Sequence, residues 1–169
     1  CIKPVFLLIV FGLVLGFDLL RSASVAYIHY LSFMICFGAL IYERISLKVN
    51  PSRKEAISMV VADIIYGIAG VALLVSGIYR VIKFGQGSEF YTQNPVFWSK
   101  IIIFGLVGSL SLYPTITYVL WAVPLSKGTL PQVTENLVSR LRPIINIELV
   151  GFASIPFLAS LMARGVGMG

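Results

Sequence analysis

The chain has 169 residues, 58% of them hydrophobic and 12% charged, with a mean hydropathy of +0.94. A soluble domain carries roughly 25% charged residues, so these charges are too few to cover a water-exposed surface, and lipid is the expected solvent. The 13 Lys and Arg against 7 Asp and Glu are spread between apolar runs, a pattern that speaks against a nucleic-acid surface and for membrane orientation.

The first apolar run, about 4–20, follows Lys3 and meets Asp18 near its end. With Ser22-Ala23-Ser24-Val25-Ala26 behind it, the run has the look of a signal peptide, but its length of roughly 25 Å as a helix also suits a short membrane helix. A second run, about 24–42, contains His29 and ends at Glu43-Arg44. The charged connection from Lys48 to Lys54 includes Pro51, a residue suited to a helix start.

The third run, about 56–82, carries Asp63 near its beginning and Arg80 and Lys83 near its end, where long basic side chains reach the headgroups. Gly67, Gly70 and Gly77 on this run would allow close helix approach. The polar stretch from Gly85 to Pro95 reads as the longest surface loop on its side of the membrane. The fourth run, about 96–123, is bracketed by Trp98 and Trp121 and interrupted by Pro114. Interfacial tryptophans mark the two membrane boundaries, and the proline predicts a kink whose freed carbonyls Ser111, Thr115 or Thr117 would satisfy. The fifth, about 133–162, holds Pro143, Glu148 and Pro156, and the glycine-rich tail after Arg164 should fray.

The expectation is one transmembrane domain, 1–169, of all-α class: a polytopic helix bundle with four core helices plus a short N-terminal membrane helix. With five spans, Lys3, Arg44, Lys48, Arg53, Lys54, Lys127, Arg140 and Arg142 share one side, and Arg21, Arg80, Lys83, Lys100 and Arg164 the other. The richer side is the one expected to face the cytoplasm or stroma.

Ionisable residues inside spans are costly, so His29, Asp63, Lys100 and Glu148 are the candidate functional positions. His29, the one histidine, offers a metal ligand for haem iron or chlorophyll magnesium, or a hydrogen bond to a neighbouring helix. A single histidine excludes a bis-histidine haem site. Asp63 and Glu148 suggest a proton path, or structural pairing with Lys100 or Arg80. Cys36 reads as a small apolar residue, and a disulfide with Cys1 is not expected. No P-loop, dinucleotide fingerprint, Cys-x-x-Cys or zinc-spaced histidine pair is present, and nothing near His29 forms a nucleophile elbow.

The strings Ala26-Tyr27-Ile28-His29-Tyr30-Leu31 and Gly38-Ala39-Leu40-Ile41-Tyr42-Glu43-Arg44 resemble the opening helix of an uncharacterised family of predicted membrane proteins. Ser76-Gly77-Ile78-Tyr79-Arg80, Asn94-Pro95-Val96-Phe97-Trp98-Ser99-Lys100 and Leu112-Tyr113-Pro114-Thr115 resemble its central motifs. That family is distantly similar to HemJ-type protoporphyrinogen oxidases and CopD-like membrane proteins. The resemblance implies a haem-facing role for His29 and a second cofactor-binding role for Lys100.

The family's presence in photosynthetic lineages implies a plastid thylakoid as a compartment. It also implies an accessory or assembly subunit of a photosynthetic membrane complex, in contact with other membrane subunits and with chlorophyll, carotenoid or haem. The alternative is a haem-dependent oxidoreductase of the HemJ type, and whether the chain is an enzyme stays open between the two.

Overall fold

The computed structural model describes residues 3–85 and 87–167; the side chains of 1–15, 86, 88, 168 and 169 lie outside that description, and with them Cys1 and Lys3. Among the described residues all regular structure is helical: α1 Lys3–Ser46, α2 Arg53–Tyr79 continuing into a π-helical turn Arg80–Phe84, α3 Ser88–Thr92, α4 Pro95–Ser126 and α5 Glu135–Ala163. Among the described residues four helices are long and apolar enough to cross a membrane, the first counted from Gly16 to Ser46.

The expected separation of a short helix at 4–20 from a span at 24–42 is not present, because one helix runs unbroken from Lys3 to Ser46. Asp18, Arg21, Ser22 and Ser24 lower hydropathy there, but none of them removes a backbone donor or blocks helical φ/ψ. Polarity can mark where a helix leaves lipid without ending its hydrogen-bond ladder. Leaving Lys3 aside, the division of basic residues between the two ends is unchanged. Arg44, Lys48, Arg53, Lys54, Lys127, Arg140 and Arg142 gather at the end formed by the α1–α2 and α4–α5 connections.

Local chemistry sets the starts of the helices. Ser52 and Glu55 form a reciprocal capping box at α2, the Asn94 side chain accepts from Val96 N at 2.8 Å ahead of Pro95, and Thr134 accepts from Leu137 N at the head of α5. Asn50 turns the α1–α2 connection at φ 52°, a conformation asparagine tolerates well. Its N–H bonds Val133 O at 3.3 Å and so ties the two basic connections together.

The helices pack as an antiparallel ring: α1 against α2 and α5, and α4 against α2 and α5. The outward surface is apolar, with Leu120, Ile68 and Val150 all more than 60% exposed. The interior holds Glu43, Asp63 and Glu148 at 1%, 4% and 0% exposure. This inversion of the soluble pattern is what a lipid solvent dictates, and the chain is an integral membrane protein.

Several local expectations are corrected. Pro143 and Pro156 lie inside α5 without ending it, and Pro114 lies inside α4, which runs on to Ser126 as a kinked helix also would. The carbonyl freed by Pro114 belongs to Leu110, four residues back, yet Ser111 donates to Gly108 O, Thr117 to Tyr113 O and Thr115 to Asp63. The polar stretch before α4 contains the short helix α3. The tail does not fray as far as Gly167: Asn94 Nδ2 donates to Val166 O at 3.2 Å. At Gly67 and Gly70 a Cβ would meet nothing within 4 Å, so neither glycine serves an internal helix contact. Close approaches lie at Gly77, where a Cβ would stand 3.1 Å from His29 Cε1 on α1, and at Gly151, where it would stand 2.5 Å from Val107 Cγ2.

Candidate functional site

Each long helix buries a stripe at three- and four-residue spacing, and each stripe carries one polar group of interest. On α1 the stripe is Cys36, Leu40, Glu43 and Leu47. On α2 it is Met59, Asp63, Tyr66, Ala69 and Leu73, on α4 Ser111, Pro114, Tyr118 and Trp121, and on α5 Leu141, Ile145, Glu148 and Phe152. Folding therefore brings Glu43, Asp63, Glu148 and Tyr118 into one half of the interior, toward the basic connections.

Asp63 accepts a 2.8 Å hydrogen bond from Thr115 Oγ1. Both carboxylate oxygens of Glu148, one of Glu43 and the hydroxyl of Tyr118 are buried with no hydrogen-bond partner. Glu43 interacts electrostatically with Asp63 and Glu148, and Tyr118 with all three acids. The expected pairing of Asp63 or Glu148 with Lys100 or Arg80 does not occur: among the described residues the ion pair is Lys48–Glu55 at 2.8 Å, on the surface. Lys100 and Arg80 enter at the opposite end of α4 and α2, so helix direction separates them from the acids. A buried carboxylate without a counter-ion is expensive, so charge in this half calls for a proton or a cation.

His29 occupies the other half. Its Nδ1 lies 3.1 Å from Leu73 O and 3.1 Å from Ser76 Oγ. The Ser76 hydroxyl itself lies 2.6 Å from Ala72 O, to which it donates. A carbonyl only accepts, so the Leu73 contact is a hydrogen bond when the ring carries a proton on Nδ1, and in the neutral ring that tautomer leaves Nε2 with its lone pair. Gly77 makes room for the ring, since a Cβ there would sit 3.1 Å from His29 Cε1. Arg80 and Lys100 both act electrostatically on His29. Arg80 also donates to Tyr30 Oη at 3.3 Å and stacks over that ring at 5.0 Å, while Lys100 Nζ lies 5.6 Å from the Phe97 ring centre.

The structure thus brings His29 and Lys100 to one end, and Asp63 and Glu148 into the other half. Between them stands an aromatic layer: Phe152 lies 5.4 Å from Phe33, 6.2 Å from Tyr66 and 6.5 Å from Phe104, centre to centre. From His29 to Glu43 is about 21 Å along α1 at 1.5 Å per residue. Among the described residues no group of three or more His, Cys, Asp or Glu is arranged to hold a metal ion.

Sequence reasoning missed Glu43 and Tyr118. Glu43 looked like part of a charged helix end with Arg44. The 4-3-4 spacing of Cys36, Leu40, Glu43 and Leu47 was the available signal, because it sets Glu43 on the buried stripe while Arg44 turns toward Asn146 on α5.

Residues 21–167 match the model of a family described as predicted membrane protein, DUF2214. No curated protein and no solved structure matches the chain.

Proposed function

The chain belongs to the DUF2214 family of predicted membrane proteins, and from that premise we propose that it is an accessory or assembly subunit of a larger membrane complex that holds a tetrapyrrole at His29. The observation that carries this reading is the commitment of Nδ1 to the Leu73 carbonyl. Metal-ligating histidines are oriented in this way, with one ring nitrogen anchored to a second-shell acceptor and the other free for the metal. Nε2 would hold haem iron or chlorophyll magnesium, with the cationic Arg80 and Lys100 in the same half to receive acidic substituents.

The subunit role is supported by the outer face of α2. Gly67 and Gly70 open onto empty space beside exposed Ile64, Ile68 and Val71, a smooth apolar surface for a partner helix. A photosynthetic complex in the plastid thylakoid, with chlorophyll or carotenoid contacts, is the setting that the sequence resemblance favours.

A second reading, a haem-dependent oxidoreductase resembling the HemJ type, is favoured by Lys100 and His29 lying in the same half of the interior, where Lys100 acts electrostatically on the ring. A bound haem would supply the electron transfer, and His29, Arg80 and Lys100 would fix and orient it.

The test is the absorption spectrum of the protein purified in mild detergent from a photosynthetic host, combined with native electrophoresis. The subunit reading expects a tetrapyrrole band lost in His29→Ala and co-migration with a larger assembly. A colourless protein that migrates alone would reject it. Porphyrinogen oxidation lost in both His29→Ala and Lys100→Ala would favour the second reading.

A further inference from the structure

We propose that Glu43, Asp63 and Glu148, together with the Tyr118 hydroxyl, form a proton-exchange site within the membrane. Three acids alone would be a weak basis. The independent observation is Tyr118, which is fully buried, has no hydrogen-bond partner for its hydroxyl, and interacts with each of the three carboxyls. A phenol both donates and accepts, so it can bond a carboxylate in one state and accept from the neutral acid in the other.

Among the described residues, the titratable groups that face this cluster come from all four long helices. α1 contributes Glu43 and Cys36, α2 Asp63 and Tyr66, α4 Tyr118, and α5 Glu148. Arg53 and Arg142 lie beyond the helix ends of the cluster, where they bond Leu125 O and Leu47 O, and Arg44 bonds Asn146. None of these cations pairs with a buried acid. The carboxyls repel one another when charged and do not converge on a metal-sized point. A proton is therefore the neutralising ligand that the arrangement fits, ahead of a divalent cation.

Exchange moves one proton from a hydronium ion to a carboxylate, leaving water and a neutral acid. Release is the reverse, and no electron is transferred. Of the three acids Glu43 lies nearest a helix end, three residues from the end of α1 at Ser46, about 4.5 Å of helix. In the other direction the rings of Phe33, Phe104 and Phe152 lie between the cluster and His29.

The test is infrared difference spectroscopy of the full chain in lipid nanodiscs, titrated from mildly acidic to mildly alkaline buffer. The wild type is expected to lose carboxylic-acid absorption and gain carboxylate absorption beyond what the other four acids, Asp18, Glu55, Glu89 and Glu135, supply. The near-isosteric Glu43→Gln, Asp63→Asn and Glu148→Gln should each remove part of that signal. Tyr118→Phe, which keeps the shape of the core, should shift its midpoint. A wild-type signal from the buried acids that does not respond to pH would overturn the proposal, and so would one that survives all three acid substitutions or a midpoint indifferent to Tyr118→Phe.

Discussion

Thr115 donates its hydroxyl proton to Asp63 Oδ1 at 2.8 Å, joining α4 to α2 one residue beyond Pro114. The bond gives the half-buried threonine a partner off its own helix and leaves Asp63 the better satisfied of the three interior acids. Thr115→Val, which keeps the side-chain shape, should lower stability by about 1 kcal/mol, the usual scale for a side-chain hydrogen bond between membrane helices. In thermal unfolding in detergent, Thr115→Val in the Asp63→Asn background should cost a similar amount, because asparagine retains the accepting oxygen. A Thr115→Val melting temperature equal to wild type would show that the bond contributes nothing.

Much of the fold was legible because hydropathy reports lipid contact directly, and four long apolar helices are what the chain builds. Asp63 and Glu148 were legible for the same reason: an acid amid apolar residues stands out. Glu43 was hidden by its neighbour. Successive helical residues point about 100° apart, so Glu43 and Arg44 read as one charged end although one is buried and the other bonds Asn146. Tyr118 was hidden because a tyrosine in a span looks like packing until its hydroxyl is seen without a partner. The unbroken α1 was missed through equating a polar patch with a chain break.

Gly77 fixes the position of the histidine ring. An alanine methyl would come within 3.1 Å of His29 Cε1, tighter than ordinary van der Waals contact, so Gly77→Ala should displace the imidazole and weaken its bond to Leu73. Because the chain has one histidine, its ring nitrogens give unambiguous nitrogen-15 resonances without assignment by mutation. The wild type should show a single neutral tautomer with the proton on Nδ1, and Gly77→Ala a mixture of tautomers. If His29 carries a tetrapyrrole, the same substitution should reduce its occupancy. Identical spectra for the two proteins would show that Gly77 does not hold the ring.

Two glycine substitutions should separate internal packing from the lipid-facing surface. Gly151→Ala drives a Cβ to 2.5 Å from Cγ2 of Val107. Val107 is itself buried and β-branched, so the side chain has little room to turn away. A loss of about 1–3 kcal/mol is expected, the range for overpacking. Gly67→Ala meets nothing within 4 Å and should be neutral, or stabilising by up to about 1 kcal/mol through helix propensity. The subunit reading adds a contrast: Gly67→Ala should weaken co-migration with a larger assembly while leaving the isolated chain as stable as before. Equal melting temperatures for Gly151→Ala and wild type would place the α4–α5 contact elsewhere.

Glu148 should behave in the opposite way to Thr115. Both its carboxylate oxygens are buried and no protein group bonds them, so the native state bears a desolvation cost that no protein hydrogen bond offsets. Glu148→Met, of similar length and apolar, should therefore raise the melting temperature, with a gain of about 1 kcal/mol or more. Glu148→Gln should gain less, since an amide in the same place remains polar and unsatisfied. Retaining an acid where methionine would be more stable is understandable if the acid has work to do, because function commonly keeps strained or unsatisfied groups at some expense of stability. A Glu148→Met variant less stable than wild type would mean that the carboxyl is structural, held by an interaction that its removal breaks.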